Sequence, residues 1–155
     1  MALTQDGWFN STMIAALSND IALDLGDTTL GTFKGALYED SVSPNFSQSN
    51  PAYGSSPLDS GESSGAGYTA GGADLTVVSF AELSGAANKL GWQFDPVEWE
   101  ESTIDAAGLL IYVPSLSNRA VLMRTFNGTY TTADGLFTIT FHSDGVWRQV
   151  LRNSA

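Results

Sequence analysis

Apolar and polar residues alternate most regularly in the last third of the chain. Over residues 137–142, phenylalanine or isoleucine alternates with threonine or histidine, which is typical of a strand that buries one face. Asp144-Gly145 follows as a tight-turn signal, because both central positions of a type I′ turn require positive φ. The pattern therefore predicts a hairpin in which residues 146–151 pair back. Asn127-Gly128 gives a similar turn signal between Phe126 and Tyr130.

Five further runs predict strands. The run at 109–113 is short, continuous and apolar, so it predicts a central strand that is buried on both faces. Asp95-Pro96 interrupts another run, and a proline within a sheet requires an edge or a bulge. The predicted strands lie at residues 32–38, 74–83, 92–99, 109–113 and 120–126.

The N-terminal part of the chain has a different period. Apolar and small residues recur there at three- and four-residue steps, which predicts a short amphipathic helix capped by Asp6 or Thr4. A helix of about three turns is not stable alone in water, so its apolar stripe must lie on the body of the protein or on another subunit. The stripe consists of Trp8, Phe9, Thr12, Met13, Ala16 and Leu17.

The segment at 41–73 is dense in serine, glycine, proline and asparagine, which predicts a loop. Loops of this length are uncommon in compact domains and are generally functional or disordered. Two interpretations stay open: the segment runs over a neighbouring subunit, or it extends into solvent. Phe46 and Tyr53 are isolated aromatic residues of the kind that anchor extended contacts. The run Gly65-Ala66-Gly67 with Gly71-Gly72 predicts a flexible lead into the next strand.

Together these patterns predict an all-β fold, mainly an antiparallel β-sandwich or barrel, with a short N-terminal helix and a long Ser/Gly/Pro-rich loop. The chain has 155 residues, which is enough for one domain with one proper core. We expect residues 1–31 to form an N-terminal segment with the short helix. Residues 32–155 are expected to form a single β-domain that contains the loop at 41–73.

Charge narrows the range of partners. The chain carries 17 acidic and six basic residues, for a net charge of −11, so we expect neither nucleic acid nor an anionic membrane to bind it. Charged residues make up only 15% of the chain, against roughly 25% in soluble domains, which suggests that neighbours cover much of the surface. The basic residues are unevenly distributed: Lys34 is the only one among the first 80 residues, whereas Arg148 and Arg152 lie close together near the end of the sequence. This charge asymmetry either orients one subunit against another or is incidental.

The sequence contains no cysteine, so disulfides and thiolate metal sites are excluded and the fold must rest on its core. The start of the sequence lacks the basic region of a signal peptide. The apolar run at 13–17 is too short for an export signal or a membrane span. We therefore expect synthesis and assembly in a cytoplasm.

Three sequence features bear on catalysis, and none predicts it. The run Gly61-Glu62-Ser63-Ser64-Gly65 matches the nucleophile elbow, but that motif requires a turn from a strand into a helix, and here it lies within a loop. His142 is expected on the polar face of its strand as a surface imidazole. A group of acids lacks the spacing of a calcium loop and predicts an acidic rim, so no metal or cofactor is expected. These acids are Asp95, Glu98, Glu100, Glu101 and Asp105.

Several segments, taken in order, resemble a family of small β-rich structural proteins of tailed-bacteriophage virions. The most specific is Gly-Ala-Gly-Tyr-Thr-Ala-Gly-Gly at 65–72, which leads into the strand that starts near Asp74. The likeness spans residues 32–148, and the chain departs from the family in an insert at 45–60 and in its short N-terminal segment. The other matching segments are 33–38, 97–99, 108–112, 137–141 and 144–146.

The resemblance implies a non-catalytic protein of the virion, made in the host cytoplasm. The first hypothesis is a capsid decoration (cement) or head-fibre protein bound to the major capsid protein or to other virion proteins. By family analogy it would form a homo-oligomer, with a trimer expected. The predicted assembly contacts are Trp8, Phe9, Met13, Phe46, Tyr53, Arg148 and Arg152.

Two other classes compete with this hypothesis. A tail or neck component, or a fibre domain that binds host glycans, would use Trp92, Trp99 or Tyr130 to stack on sugars, although the strand pattern places several of these in the core. A wall hydrolase would need a carboxylate pair in a cleft. Glu98 and Glu100 share one strand face, and nothing else in the sequence nominates them.

Overall fold

The computed structural model describes residues 3–151, apart from the side chains of residues 86 and 87. Antiparallel strands make up most of the regular secondary structure in this range, and they are accompanied by one short helix and one 3₁₀ turn. The elements in order are β1 (Gly7–Trp8), α1 (Asn10–Leu17), β2 (Phe33–Tyr38), β3 (Ala73–Leu75), β4 (Val77–Leu83), β5 (Ala86–Phe94), β6 (Val97–Ser102), β7 (Asp105–Val113), the 3₁₀ turn (Pro114–Leu116), β8 (Arg119–Thr131), β9 (Gly135–Ile139) and β10 (Trp147–Val150).

The described strands form three sheets. The largest has the order β1-β8-β7-β2-β3, and the smaller ones have the orders β10-β5-β4 and β6-β9. All paired strands are antiparallel. The predicted all-β class with one short N-terminal helix is therefore confirmed, and the sheets do not close into a barrel.

The five-stranded sheet is buried on both faces. In β7 every residue from Ala106 to Val113 is buried, which confirms the central strand predicted there. Because successive side chains point to opposite faces, β2 and β7 supply two separate clusters. Phe33 and Ile111 belong to the cluster that the two smaller sheets cover, whereas Tyr38 and Leu110 belong to the second cluster.

The second cluster is covered by the long loop and by the N-terminal residues. Val42 and Leu58 of the loop are almost completely buried in it. The Tyr38 hydroxyl donates to the Leu58 carbonyl oxygen (2.7 Å), and the Ala120 N–H donates to Pro51 (3.0 Å). Residues 39–72 contain no regular strand, as predicted. The interpretation that the loop extends into solvent is wrong, because the apolar outer face of the sheet needs a cover.

The predicted C-terminal hairpin does not form. β10 pairs with β5 rather than with β9, and the Val146 N–H donates to the carbonyl oxygen of Trp92 (2.8 Å). Val146 is buried in the first cluster, so its packing draws the chain from the small sheet into the three-stranded sheet. Asn127-Gly128 also fails to end a strand, since both residues lie within β8, where its register with β7 shifts.

The helix starts later than predicted, and its N-cap is Phe9, without a side-chain hydrogen bond. Asp6 and Thr4 therefore do not cap it. Trp8 lies in β1, and the Phe9 N–H donates to Val121 of β8 (3.1 Å). The Thr12 hydroxyl, which is fully buried, donates to the Ala120 carbonyl oxygen (2.7 Å). The N-terminal segment is thus built into the domain.

The glycine-rich run at 65–72 makes close backbone contacts at several of its glycines, although most of its residues are exposed. These contacts, rather than flexibility alone, explain the glycines of the predicted flexible lead. A Cβ at Gly65 would overlap the carbonyl oxygen of Thr103, and a Cβ at Gly72 would overlap the carbonyl oxygen of Gly35. Gly72 also has a φ of +74°, which other residues rarely adopt. Glycine is therefore required where this segment crosses β2 and the turn between β6 and β7.

We predict that Gly72→Ala destabilises the protein by roughly 2–4 kcal/mol, because overpacking and positive-φ strain add. Gly128→Ala is the matched control, since a Cβ at Gly128 has nothing within 4 Å and its φ is not positive. Urea denaturation of both variants measures the effect. Equal stabilities of the two variants would contradict the role assigned to Gly72.

Candidate interaction surfaces

The structure places the N-terminal contact residues mostly inside the domain. Phe9 is fully buried in the second cluster, so in the single chain its ring packs inside the domain, and a contact of Phe9 with a partner stays a prediction. Trp8 is partly buried, with ring centroids 5.8 Å from Trp92 and 5.4 Å from Trp147. Met13 is also partly buried. These side chains mainly attach the N-terminal segment to the sheets.

The two loop aromatics face the domain's own core as well. The Phe46 ring lies 5.1 Å from that of Phe9, and the Tyr53 ring stacks on Tyr112 at 4.6 Å. Both are partly buried and pack against the second cluster. They anchor the loop to its own sheet, and only their outer edges are open to a partner.

Of the two arginines predicted to contact a partner, only Arg148 lies within the described residues. Arg148 is half exposed, and its guanidinium forms an ion pair with Asp144 (2.7 Å). An exposed pair of this kind contributes at most about 1 kcal/mol, so Arg148 stays open to a stronger partner. Arg152 lies outside the described residues.

Of the three aromatic residues considered for sugar stacking, two are buried and one is exposed. Trp92 is fully buried and its indole N–H donates to the Leu25 carbonyl oxygen (2.8 Å), while Trp99 is almost buried. Neither can stack on a sugar, because each fills the core between the sheets. Tyr130 is 58% exposed. It lines a groove of about 460 Å³ together with Phe126, Leu136 and four threonines that lie in or next to β8 and β9.

The outer side of α1 is an exposed apolar surface that the sequence pattern missed. Ile14 is 62% exposed and Leu17 is 80% exposed. Residues three apart lie on the same side of a helix, so the two side chains form one patch, which we call the α1 patch. The predicted stripe included Leu17 as an inward residue. A signal was present, because residues 13–17 are all apolar and a helix that is apolar on several faces cannot bury them all against one sheet.

A polar cluster around Glu62 fastens the loop. One oxygen of Glu62 accepts hydrogen bonds from the Tyr68 hydroxyl (2.9 Å) and the Gly71 N–H (2.7 Å). Its other oxygen accepts from the Tyr53 hydroxyl (2.8 Å). The Tyr112 hydroxyl donates to the Gly71 carbonyl oxygen (2.8 Å). These bonds join both halves of the loop to β7.

The tyrosines of this cluster are held in their neutral form. Burial, followed by the negative charge of Glu62, raises the pKa of Tyr112 to about 12. Burial is also the largest cause of the raised pKa of Tyr38, Tyr53 and Tyr68. Neutral phenols are hydrogen-bond donors, which is what the Glu62 carboxylate requires. The cluster therefore works as a structural fastening.

The other residues considered for chemistry do not converge on a site. Ser63 is almost buried, and its hydroxyl donates to the Asp105 carbonyl oxygen (2.6 Å). His142 is exposed and accepts a hydrogen bond from the Asp144 N–H (3.0 Å) at Nδ1. Glu98 and Glu100 are exposed on the outer side of β6. Within residues 3–151 no group of three or more acidic or histidine side chains is placed to hold a metal ion.

Comparison of the chain with family models, curated proteins and solved structures finds no significant match. Over the part that the structure describes, no helix is long and apolar enough to cross a membrane.

The raised tyrosine pKa values predict an alkaline limit to stability. A phenol whose pKa is about 10 in the unfolded chain and about 12 in the folded one favours folding fully below pH 10 and loses this contribution as pH rises towards 12. The free energy of unfolding should therefore fall above pH 10. Tyr112→Phe should weaken that pH dependence by up to one proton, and it should cost about 1 kcal/mol at pH 7 through the lost hydrogen bond. Urea denaturation at pH 7–11 tests both effects, and identical slopes in the two proteins would contradict the assignment.

Proposed function

We propose that this chain is a non-catalytic structural protein of a tailed-phage virion, a capsid decoration (cement) or head-fibre protein that binds the major capsid shell. The order of segments shared with that family supports the proposal. The glycine-rich segment at 65–72, which is the most specific part of the resemblance, crosses neighbouring backbone segments at contact distance in this fold. The resemblance at this segment therefore supports a shared architecture rather than a shared active site.

The α1 patch carries the proposal of a docking role. Thr12 and the adjoining Phe9 fix the helix to β8, so Ile14 and Leu17 are presented on a rigid support. Burying one such side chain contributes roughly 1.5–3 kcal/mol. A protein that binds the assembled shell and not its dissociated subunits stabilises the shell by mass action.

Deleting residues 1–17 would not isolate this contact. The deletion removes Leu3 and Phe9, which are buried in the second cluster, together with the buried hydrogen bond of Thr12. Loss of three buried groups would unfold or loosen the domain. Surface substitutions on α1 separate docking from folding.

We predict that Ile14→Ser with Leu17→Ser weakens binding to capsids at least about 10-fold, since each exposed apolar side chain loses its burial at the interface. Thermal unfolding should change little, because both residues are exposed in the free protein. Leu136→Ser, a residue 55% exposed at the other groove, is the control and should bind normally. Co-sedimentation with capsids that lack the protein measures binding, and undiminished binding of the double variant would overturn the role of the α1 patch.

The virion location has its own test. Mass spectrometry of purified particles should find the chain at a fixed copy number relative to the major capsid protein. Labelled protein should decorate the head in electron micrographs. Its absence from purified virions would end the proposal, whichever surface it uses.

Glycan binding by a fibre domain is the second candidate, and the groove beside Tyr130 favours it. An exposed tyrosine with neighbouring threonine hydroxyls combines a stacking surface and hydrogen-bonding groups. Phe126 lies against Tyr130 at 6.2 Å in an edge-on arrangement, which fixes one side of the ring.

If this groove binds sugars, a glycan array should give a specific signal that Tyr130→Ala abolishes and that Phe80→Ala, a partly exposed aromatic on β4, leaves unchanged. Loss of one stacking ring is worth about 1 kcal/mol or more, so titration of the best glycan should weaken at least about fivefold. A blank array would remove this candidate and leave the capsid proposal standing.

A further inference from the structure

Arg119 differs from the other described basic residues because one of its guanidinium nitrogens is buried without a hydrogen-bond partner. Within residues 3–151, Lys34, Arg124 and Arg148 each form an ion pair with an aspartate of the same chain. Lys89 and Arg119 form none within the same range, although the chain carries 17 acids. The guanidinium Nη1 of Arg119 is buried, and no acceptor among the described residues lies within hydrogen-bonding distance of it. A buried donor left without a partner costs free energy and requires an explanation.

The surroundings of Arg119 form a groove of about 500 Å³. Its backbone is fixed because residue 119 forms a bridge with Ala52, and the neighbouring Asn118 carbonyl oxygen accepts from the Tyr53 N–H (2.9 Å). The side chain is partly buried. The other lining residues include the polar Asn50, Ser115 and Ser117 and the apolar Ile21 and Leu116.

This combination of groups suits a small anion. A guanidinium presents two parallel N–H groups that match the two oxygens of a carboxylate. Serine hydroxyls and an asparagine amide add neutral donors at the same rim. The net charge of −11 disfavours polyphosphates and nucleic acids, whereas a single carboxylate adds only one charge.

We propose that the groove at Arg119 is a carboxylate-binding site. Arg119 lines the groove, and its guanidinium turns on binding so that Nη1, which is buried in the free chain, donates to the carboxylate. The apolar side chains of Ile21 and Leu116 pack against the carbon atoms next to the carboxylate. The site is independent of the virion proposal. Its ligand is either a free organic acid or an aspartate or glutamate side chain of a second copy of the chain, and these two sources share the same chemistry.

Sodium acetate, titrated at constant ionic strength against sodium chloride, is the probe. The Nε–Hε resonance of Arg119 should shift and saturate at a Kd on the order of 10 mM, and backbone signals of Ser115 and Ser117 should shift with it. Arg119→Gln should abolish the saturable shift at both serines. Arg124→Gln removes an equal charge that is paired with Asp6, and it should leave the titration unchanged. A shift that is linear in acetate, or that persists in Arg119→Gln, would overturn the proposal.

A second measurement separates a binding site from a structural role. Arg119→Met keeps the packed stem and removes the buried donor, so it should raise Tm by roughly 2–4 °C. A structural arginine would instead lower Tm on this change, which would count against the proposal even if the variant stays folded.

Analytical ultracentrifugation over a range of protein concentrations distinguishes the two sources. Self-association that acetate and Arg119→Gln both suppress identifies a second copy as the source. A monomer at every concentration that still binds acetate assigns the site to a free organic acid.

Discussion

The structure depends on a five-stranded sheet whose two faces are both apolar. β2 and β7 bury nearly every residue, so water must be excluded from both sides at once. The first face is covered by two small sheets that contribute Trp92, Trp99 and Phe137. Among residues 3–151, no sheet or long helix covers the second face. The long irregular loop and the N-terminal segment take this role.

An irregular cover has to satisfy its backbone polar groups without a regular ladder. In this loop, side chains form some of the hydrogen bonds. The Glu62 carboxylate accepts from two phenol hydroxyls and one backbone N–H, and the Tyr112 hydroxyl of the sheet donates to a carbonyl oxygen of the loop. Gly65 and Gly72 allow the backbone to cross its neighbours at contact distance. The loop is therefore as much a part of the core as the strands are, and this explains why its serine- and glycine-rich composition does not produce disorder.

Local pattern was enough to predict where strands lie, and it was not enough to predict how they pair. The runs at 32–38 and 109–113 correspond to β2 and part of β7, because their apolar character is strong and short-range. The pairing of β10 with β5 depends on Val146 entering a cluster that is distant in sequence, so the turn signal at Asp144-Gly145 misled. Glu62 was visible only as part of a false nucleophile motif. Its two tyrosine partners, Tyr53 and Tyr68, lie on opposite sides of it in the sequence, and no spacing rule connects them.

The burial of aromatic side chains in the core also limits which surface areas can bind partners. Most aromatic residues that were predicted to make contacts complete the domain's own core, and the areas proposed for partners are the α1 patch, the groove beside Tyr130 and the groove at Arg119. The α1 patch, with two exposed apolar side chains, is smaller than a stable isolated interface, which buries roughly 800 Å² on each partner. Small contacts become effective when many copies are presented on a repeating lattice, since linked binding events add in free energy. A virion shell offers such a lattice, so a domain with a finished core and weak separate contacts is consistent with the role proposed for it.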